Sequence, residues 1–272
     1  MRLFGRRVVL QFASSTGAGK SFEGIHVDFR VTMTMDPTPN QAEITAYNLS
    51  ADTIALCQAP GAIVRLLVGY EDDATGVPMM IFQGNPTPGG CKSTREGETR
   101  KLKIEASDGG TAYRESTISV GYAGPTQLRV ILDAALAQMG LPSGYLADIP
   151  DRELPRGFSA TGPARDVLSR LAAMVGAQWT IRDGAVQLIG RGQTSGETAQ
   201  VFSAAAGNLI GSPSAKDDGI EVKALIAPTL RPGKLFRLIA EQYSGDYRAE
   251  KVVFEGSNYG QSFYVTATGS RL

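Results

Sequence analysis

The sequence is poor in the residues on which most enzyme chemistry rests: its 272 residues include one histidine, one tryptophan and two cysteines. A lone His26 excludes a histidine-paired metal centre and leaves one candidate base for a serine or cysteine nucleophile. No Ser or Cys lies in a G-x-S-x-G elbow, so His26, on the polar side of an alternating stretch, reads as a solvated or interface imidazole. Trp179 shares parity with Ile181 and is expected in a core, not as a stacking platform. Cys57 and Cys91 have no metal-like spacing; they could pair, but free thiols in a reducing cytosol are the simpler reading. Aromatics make up 7% of the chain and are scattered, which gives little support to a concave glycan-binding cluster.

Charge of one sign is also missing. The 27 basic residues balance 27 acidic ones, so no whole-chain field draws the protein onto nucleic acid or anionic membrane. Basic residues cluster only at Arg6-Arg7 and Arg100-Lys101, too briefly for a nucleic-acid patch. No uncharged apolar run approaches the ~20 residues that span a bilayer, and even Val130 to Met139 carries Asp133. The N-terminal MRLFGRRVVLQF is interrupted by Gln11 and lacks a small-residue cleavage site, so it reads as a first strand of a soluble chain, not an export signal.

Two motifs fail on inspection. Gly17-Ala18-Gly19-Lys20-Ser21 resembles the end of a phosphate-binding loop, but Ser14 stands where the first glycine is needed and a strand pattern follows Lys20 where a helix is required. A flexible Gly/Ser hairpin loop, Ala13 to Gly24, is the expectation. Asp72-Asp73 and Asp217-Asp218 lie in loop-like stretches and read as turn chemistry, not as the paired carboxylates of a glycosidase.

What is present is strand. Gly 32 and Pro 14 supply many turn points, and the length suits about two domains. Val8, Leu10 and Phe12 form one face of a first strand. Ile25, Val27, Phe29, Val31, Met33 and Met35 then alternate without a break with His26, Asp28, Arg30, Thr32 and Thr34. Ala42, Ile44 and Ala46 alternate with Glu43, Thr45 and Tyr47, and the strand breaks at Asn48-Leu49-Ser50. There Ser50 is placed to cap a short helix, Ala51 to Cys57, with Asp52 in its first turn. Ile63 to Tyr70, Met79 to Gln83, and a strand with Leu102, Ile104 and Ala106 inward complete six strands.

Between about residues 108 and 190 the period changes. Leu128, Ile131, Leu132, Ala135, Leu136 and Met139 share a helical stripe, with Thr126 as expected N-cap and Gly140 just past the end. A second helix opens at Pro163, buries Leu168, Leu171, Ala172 and Val175, and stops at Gly176. Trp179 and Ile181 then pair by parity with Val186 and Leu188 across Asp183-Gly184, a dipeptide suited to a type I′ turn. Gly196 to Ser212 is small and polar and is expected to be a linker. Strands return with Ile220, Val222, Ala224 and Ile226, then Phe236, Leu238 and Ala240, Tyr247 to Glu255, and Phe263 to Thr268. The expected class is mainly β with a small α+β insertion, divided at 1–108, 109–190 and 191–272; the second β region could complete the first barrel or make its own.

Four passages carry a family resemblance: Asn40 to Ser50 (NQAEITAYNLS); Val64 to Tyr70 with Phe82-Gln83-Gly84; the helix and hairpin from Gly162 to Leu188; and Gly219 to Pro228 with Pro232-Gly233. In order and spacing they resemble the baseplate hub proteins of phage tails, which join tail tube to central spike. The resemblance implies two tail-tube-like antiparallel β-barrel domains per chain. It implies a homotrimer whose six barrels form a pseudo-six-fold ring between the hexameric tube and the trimeric spike. Tail tube protein, spike and tape measure protein are the partners so implied. DNA would only pass through the lumen, without membrane insertion. The place would be the baseplate of a virion tail, assembled in the host cytoplasm. The family pattern often has a histidine near the C-terminal strand where this chain has Phe254, and no fused lysozyme domain is seen.

On this reading there is no enzyme, and no catalytic, cofactor or metal site is assigned. Asp28, Arg30 and Thr32 are expected to face a channel or an interface. Ser15, Thr16, Gly17 and Lys20 are expected on a loop that meets a neighbouring subunit. A receptor- or carbohydrate-binding tail module is the competing class, and a hydrolase the third.

Overall fold

A computed structural model describes residues 5–14, 17, 19–72, 76–146, 151–216 and 219–272. The first β region holds β1 (Arg6–Ala13), β2 (Gly19–Glu23), β3 (Val27–Thr34), β4 (Gln41–Tyr47), helix α1 (Ala51–Gln58), β5 (Ile63–Tyr70), β6 (Met79–Glu96) and β7 (Thr99–Ser107). The insertion holds α2 (Gly110–Glu115), β8 (Thr117–Tyr122), β9 (Thr126–Gln127), α3 (Leu128–Met139), β10 (Glu153–Leu154), β11 (Phe158–Pro163), α4 (Ala164–Met174), β12 (Ala177–Arg182) and β13 (Ala185–Gly190). The second β region holds β14 (Gln200–Ser203), β15 (Ser214–Lys216), β16 (Gly219–Leu225), β17 (Leu235–Ile239), β18 (Ser244–Ser257) and β19 (Phe263–Arg271).

Strands of the two β regions join in one sheet of order β15-β16-β19-β18-β3-β4-β7-β6-β5-β1-β2, with β17 on β18 and β14 on β17. The junction is β3 against β18, where Val31 faces Phe254 and Phe29 faces Gly256. Two long strands change partner along their length. β6 pairs with β5 up to Gly84 and with β7 from Asn85, and β18 lies on β17 up to Arg248 and on β3 from Lys251. The strict alternation of β3 is what makes this joint: Val27, Phe29, Val31 and Met33 are buried, and so are Ala42, Ile44 and Ala46 beside them. One apolar core runs through both regions, from Val8 to Ala106 and from Phe202 to Ala267.

The insertion has a core of its own, built from Ile118 to Leu188 and including Trp179. Trp179 faces Leu188 and Ile181 faces Val186 across Asp183 (φ 55) and Gly184 (φ 78), two left-handed residues as a type I′ turn requires. Gly140 (φ 71) ends α3 in the left-handed conformation.

Several expectations are corrected. The Ala13–Gly24 loop contains a strand, β2, whose Phe22 and Ser21 face Leu10 and Gln11 of β1. The polar 196–212 stretch contains β14, which runs parallel to β17 and packs Phe202 on Phe236, ring centroids 5.8 Å apart. Thr126 does not cap α3; Gln127 holds that position without a side-chain bond, and Thr126 Oγ1 donates to Gly124 O. Val175 is the C-terminal cap residue of α4 and only half-buried. Cys57 and Cys91 are a disulfide, because the end of α1 and the bent part of β6 bring residues 34 apart in sequence together. A hairpin of β8 and β11, interrupted by α3, was hidden by its small and polar composition.

Candidate assembly surface

The alternation that buries one side of β3 turns the other side to water, and the same holds for its neighbours. From β7 through β4, β3, β18 and β19 to β16 the registers align outward side chains in rows. One row runs Glu105, Glu43, Arg30, Glu255, Tyr264 and Leu225; the next runs Gln41, Thr32, Val253, Thr266 and Lys223. The result is a six-strand polar face. Arg30 is exposed and Asp28 and Thr32 are half-buried, so all three lie on this wet face and not in the core.

Charge on the face is matched. Asp28, Glu43, Glu105, Glu221 and Glu255 are balanced one for one by Arg30, Lys101, Lys103, Lys223 and Lys251. Arg30 Nη1 lies 3.3 Å from Glu255 Oε2, and Tyr264 Oη donates to Glu255 Oε1 at 2.7 Å. Lys103 Nζ lies 2.9 Å from Glu105, and Lys223 Nζ sits 3.5 Å from the centre of the Tyr264 ring. Arg30, Lys101, Lys103 and Lys223 therefore each have an acid or a π face beside them, Lys251 between Thr34 and Thr268 has neither among the described residues, and exposed pairs of this kind add little stability. Their consequence is a surface without net field.

His26 closes one end of the face. Its ring stacks on Tyr47, centroids 4.1 Å apart, and its Nε2 lies 3.0 Å from Asp28 Oδ1 and 3.4 Å from Ser257 Oγ. Burial pushes the Asp28 carboxyl up, but hydrogen bonds from Ser257 and Tyr47, with His26 alongside, outweigh it and hold that carboxyl below its ordinary value. Serine, histidine and aspartate meet here without making a triad. Asp28 and Ser257 both address the same ring nitrogen, whereas a base needs its second nitrogen held by the carboxylate. Ser257 Oγ also accepts the N–H groups of Tyr259 and Gly260 and so anchors a turn. Among the described residues no three metal-binding side chains cluster.

Arg6 fixes the adjoining loop by donating to Ser257 O at 3.1 Å and Gln261 O at 3.0 Å, and also to Gly260 O, while its guanidinium stacks on Phe263. Sequence reasoning missed this role, since Arg6-Arg7 reads only as a short basic cluster. Of the expected subunit-contact loop, Ser15 and Thr16 lie outside the described residues. Gly17 and Lys20 are exposed, and Lys20 Nζ reaches Thr53 Oγ1 at 3.5 Å. The loop and the polar face are thus separate surfaces, one at the β2 edge and one across the sheet centre.

No protein-family model matches the sequence, and no curated protein matches it by sequence. Solved structures do match in three dimensions. The 43 kDa tail protein of prophage MuSo2 from Shewanella oneidensis superposes with a TM-score of 0.65 at 11% identity, covering 98% of each chain. This is a phage tail-protein fold. A tail protein from Neisseria meningitidis MC58 shares the tail-protein fold at TM-score 0.64 and 8% identity, over 98% of this chain and 97% of that one. The E. coli c3393 protein, a type VI secretion component described as similar to the T4 tail proteins gp27 and gp5, matches at TM-score 0.63 and 10% identity. It covers 91% of this chain, which covers 74% of it. The hub resemblance of the sequence is upheld at the level of fold.

Proposed function

We propose that the chain is a structural hub of a phage tail baseplate or a tail-derived particle, with no enzymatic role. Three copies form a ring of pseudo-six-fold character that receives the hexameric tail tube on one side and the trimeric spike on the other. The observation that carries this is the six-strand polar face shared by the two β regions. A wall through which DNA must pass has to be wet, continuous and free of unpaired cations, because each lysine or arginine left to meet a phosphate adds salt-dependent affinity. The pairing of Arg30, Lys101, Lys103 and Lys223 goes most of the way to that demand, with Lys251 the one cation of the face that meets neither an acid nor a ring among the described residues. The division into units at 1–108, 109–190 and 191–272 is part of the proposal: the outer two carry the ring wall, and the 109–190 unit stands off it. Gly17 and Lys20, at the β2 edge, contact a neighbouring subunit. The neighbours implied are the tube, spike and tape measure proteins of a virion tail.

Mass in solution tests the reading. A trimer, or a monomer that becomes one when tube or spike protein is added, is the expected result. A chain that stays monomeric with both partners present contradicts it.

A further inference from the structure

The disulfide and the charged end of β6 meet at one place. Between Pro86, which faces Ala106, and Cys91, which faces Ile104, the register of β6 on β7 shifts and β6 bulges outward through Gly89 (φ 71). Past the bulge lies an arm, Cys91–Glu96, that among the described residues pairs with β7 alone. Lys92 through Glu96 are all exposed, and in this arm Cys91 alone is half-buried and packs against the apolar core. Its disulfide partner, Cys57, stands in the last turn of α1 and is 1% exposed. Gln58 Nε2 adds a hydrogen bond to Cys91 O at 3.1 Å, but that bond is exposed and water replaces it at little cost. Beyond its ladder with β7, the arm is tied to the body by the disulfide.

That bond can be reached from solvent. An open cleft of about 570 Å³ between the end of α1, the bulge of β6 and α2 is lined by both cysteines, with Gln58, Pro88 and Thr111 beside them. Cys91 is the more exposed of the two, so an incoming small thiolate attacks Cys91 Sγ. A new S–S bond forms, the Cys57–Cys91 bond breaks, and its electron pair leaves on Cys57 Sγ, which takes up a proton. A second small thiolate then attacks the mixed disulfide, leaving as the small-molecule disulfide and releasing Cys91 as a thiol. A small-molecule disulfide runs both steps backwards.

We propose that Cys57–Cys91 is a redox-operated clasp on the β6 arm: small thiols open it in the folded chain and free Cys91–Glu96 from α1, and small disulfides close it. Opening withdraws one half-buried side chain from the apolar core, so the unit released is local. The β3–β18 join and the Trp179 core are built from other elements and stay packed. In a reducing compartment the arm is loose, and in an oxidising medium it is fixed.

The test incubates the folded chain with excess reduced glutathione and no denaturant, traps thiols by alkylation, and follows amide hydrogen exchange by mass spectrometry. The expected result is that both cysteines become alkylated and that peptides over Cys91–Glu96 lose protection while those over Val27–Thr34 keep theirs. Glutathione disulfide should then restore the arm. Cys91→Ser should show the loose arm from the outset and should not respond to glutathione. Thiols that appear only in urea strong enough to expose Val27–Thr34, an arm equally protected in both redox states, or protection lost from both segments together overturns the clasp. Should Cys91→Ser fail to fold, the native chain decides by the same readouts.

Discussion

Asp108 Oδ1 accepts the backbone N–H of Gly184 at 2.9 Å, although 76 residues separate them in the chain. The other carboxylate oxygen takes the N–H of Asp183 at 2.6 Å, so both free amides of the I′ turn end on one buried side chain. Asp108 sits at the end of β7, 1% exposed, and its own N–H donates to Asn40 O. The turn of the insertion hairpin is thereby keyed to the first β region through one acid.

That acid predicts a pH dependence. Burial pushes the Asp108 carboxyl up from 3.8 to about 7; the Asp183 carboxylate pushes the same way, and the two amides and Arg231 oppose them. Between about pH 4 and 7 the folded chain holds a proton that the unfolded chain has released, so this residue's contribution to stability falls as pH rises through that window. From pH 5 to pH 8 the fall amounts to at most about 3 kcal/mol. Urea midpoints across that range should show Asp108→Asn with a flatter profile than the native chain; parallel profiles contradict the account.

Asn40 is the second key. Its Oδ1 accepts the N–H of Thr34 at 3.1 Å and its Nδ2 donates to Ile181 O, with the residue 3% exposed. Asn40→Ala strands a buried N–H and a buried carbonyl at once, which costs about 1–3 kcal/mol for each group. Denaturation of the purified variant should show a loss in that range, with Asn40→Asp recovering only the Thr34 bond.

Phe254 tests the join of the two β regions. Its ring is fully buried on β18 between Val31 and Val265. Phe254→Ala should cost about 3–5 kcal/mol, whereas Thr32→Ala on the polar face should stay within about 0.5 kcal/mol. Calorimetry of both variants makes the comparison.

The Cys57–Cys91 disulfide closes a loop of 34 residues around β5. Its reduction, or a double change to alanine, should lower stability by about 2–4 kcal/mol through the freedom returned to the unfolded chain. Unfolding with and without reductant measures this.

The sequence was informative wherever burial was one-sided. Period two in Val27 to Thr34 and Gln41 to Tyr47 identified inward and outward residues correctly, and Ser50 caps α1 by accepting the Thr53 N–H as its position implied. Asp183-Gly184 announced its turn through left-handed propensity alone. Long-range polar chemistry was not legible. Nothing local to Asp108, Asn40 or Arg6 says that each serves a segment far along the chain, because such bonds are set by tertiary register. β14 escaped for a related reason: it is short, and its edge is completed by the Asn208 side chain, which accepts the Ser203 N–H and donates to Val201 O. The polar face was legible residue by residue, but its charge balance emerges only when six strands are laid in register.

The most direct test of the central claim is a cryo-EM reconstruction of the chain assembled with its tube and spike partners. The account predicts a three-chain ring whose inner wall presents Arg30, Glu255 and Thr266 to the lumen. A ring with that face turned outward or buried against another chain, or no ring at all, would contradict it.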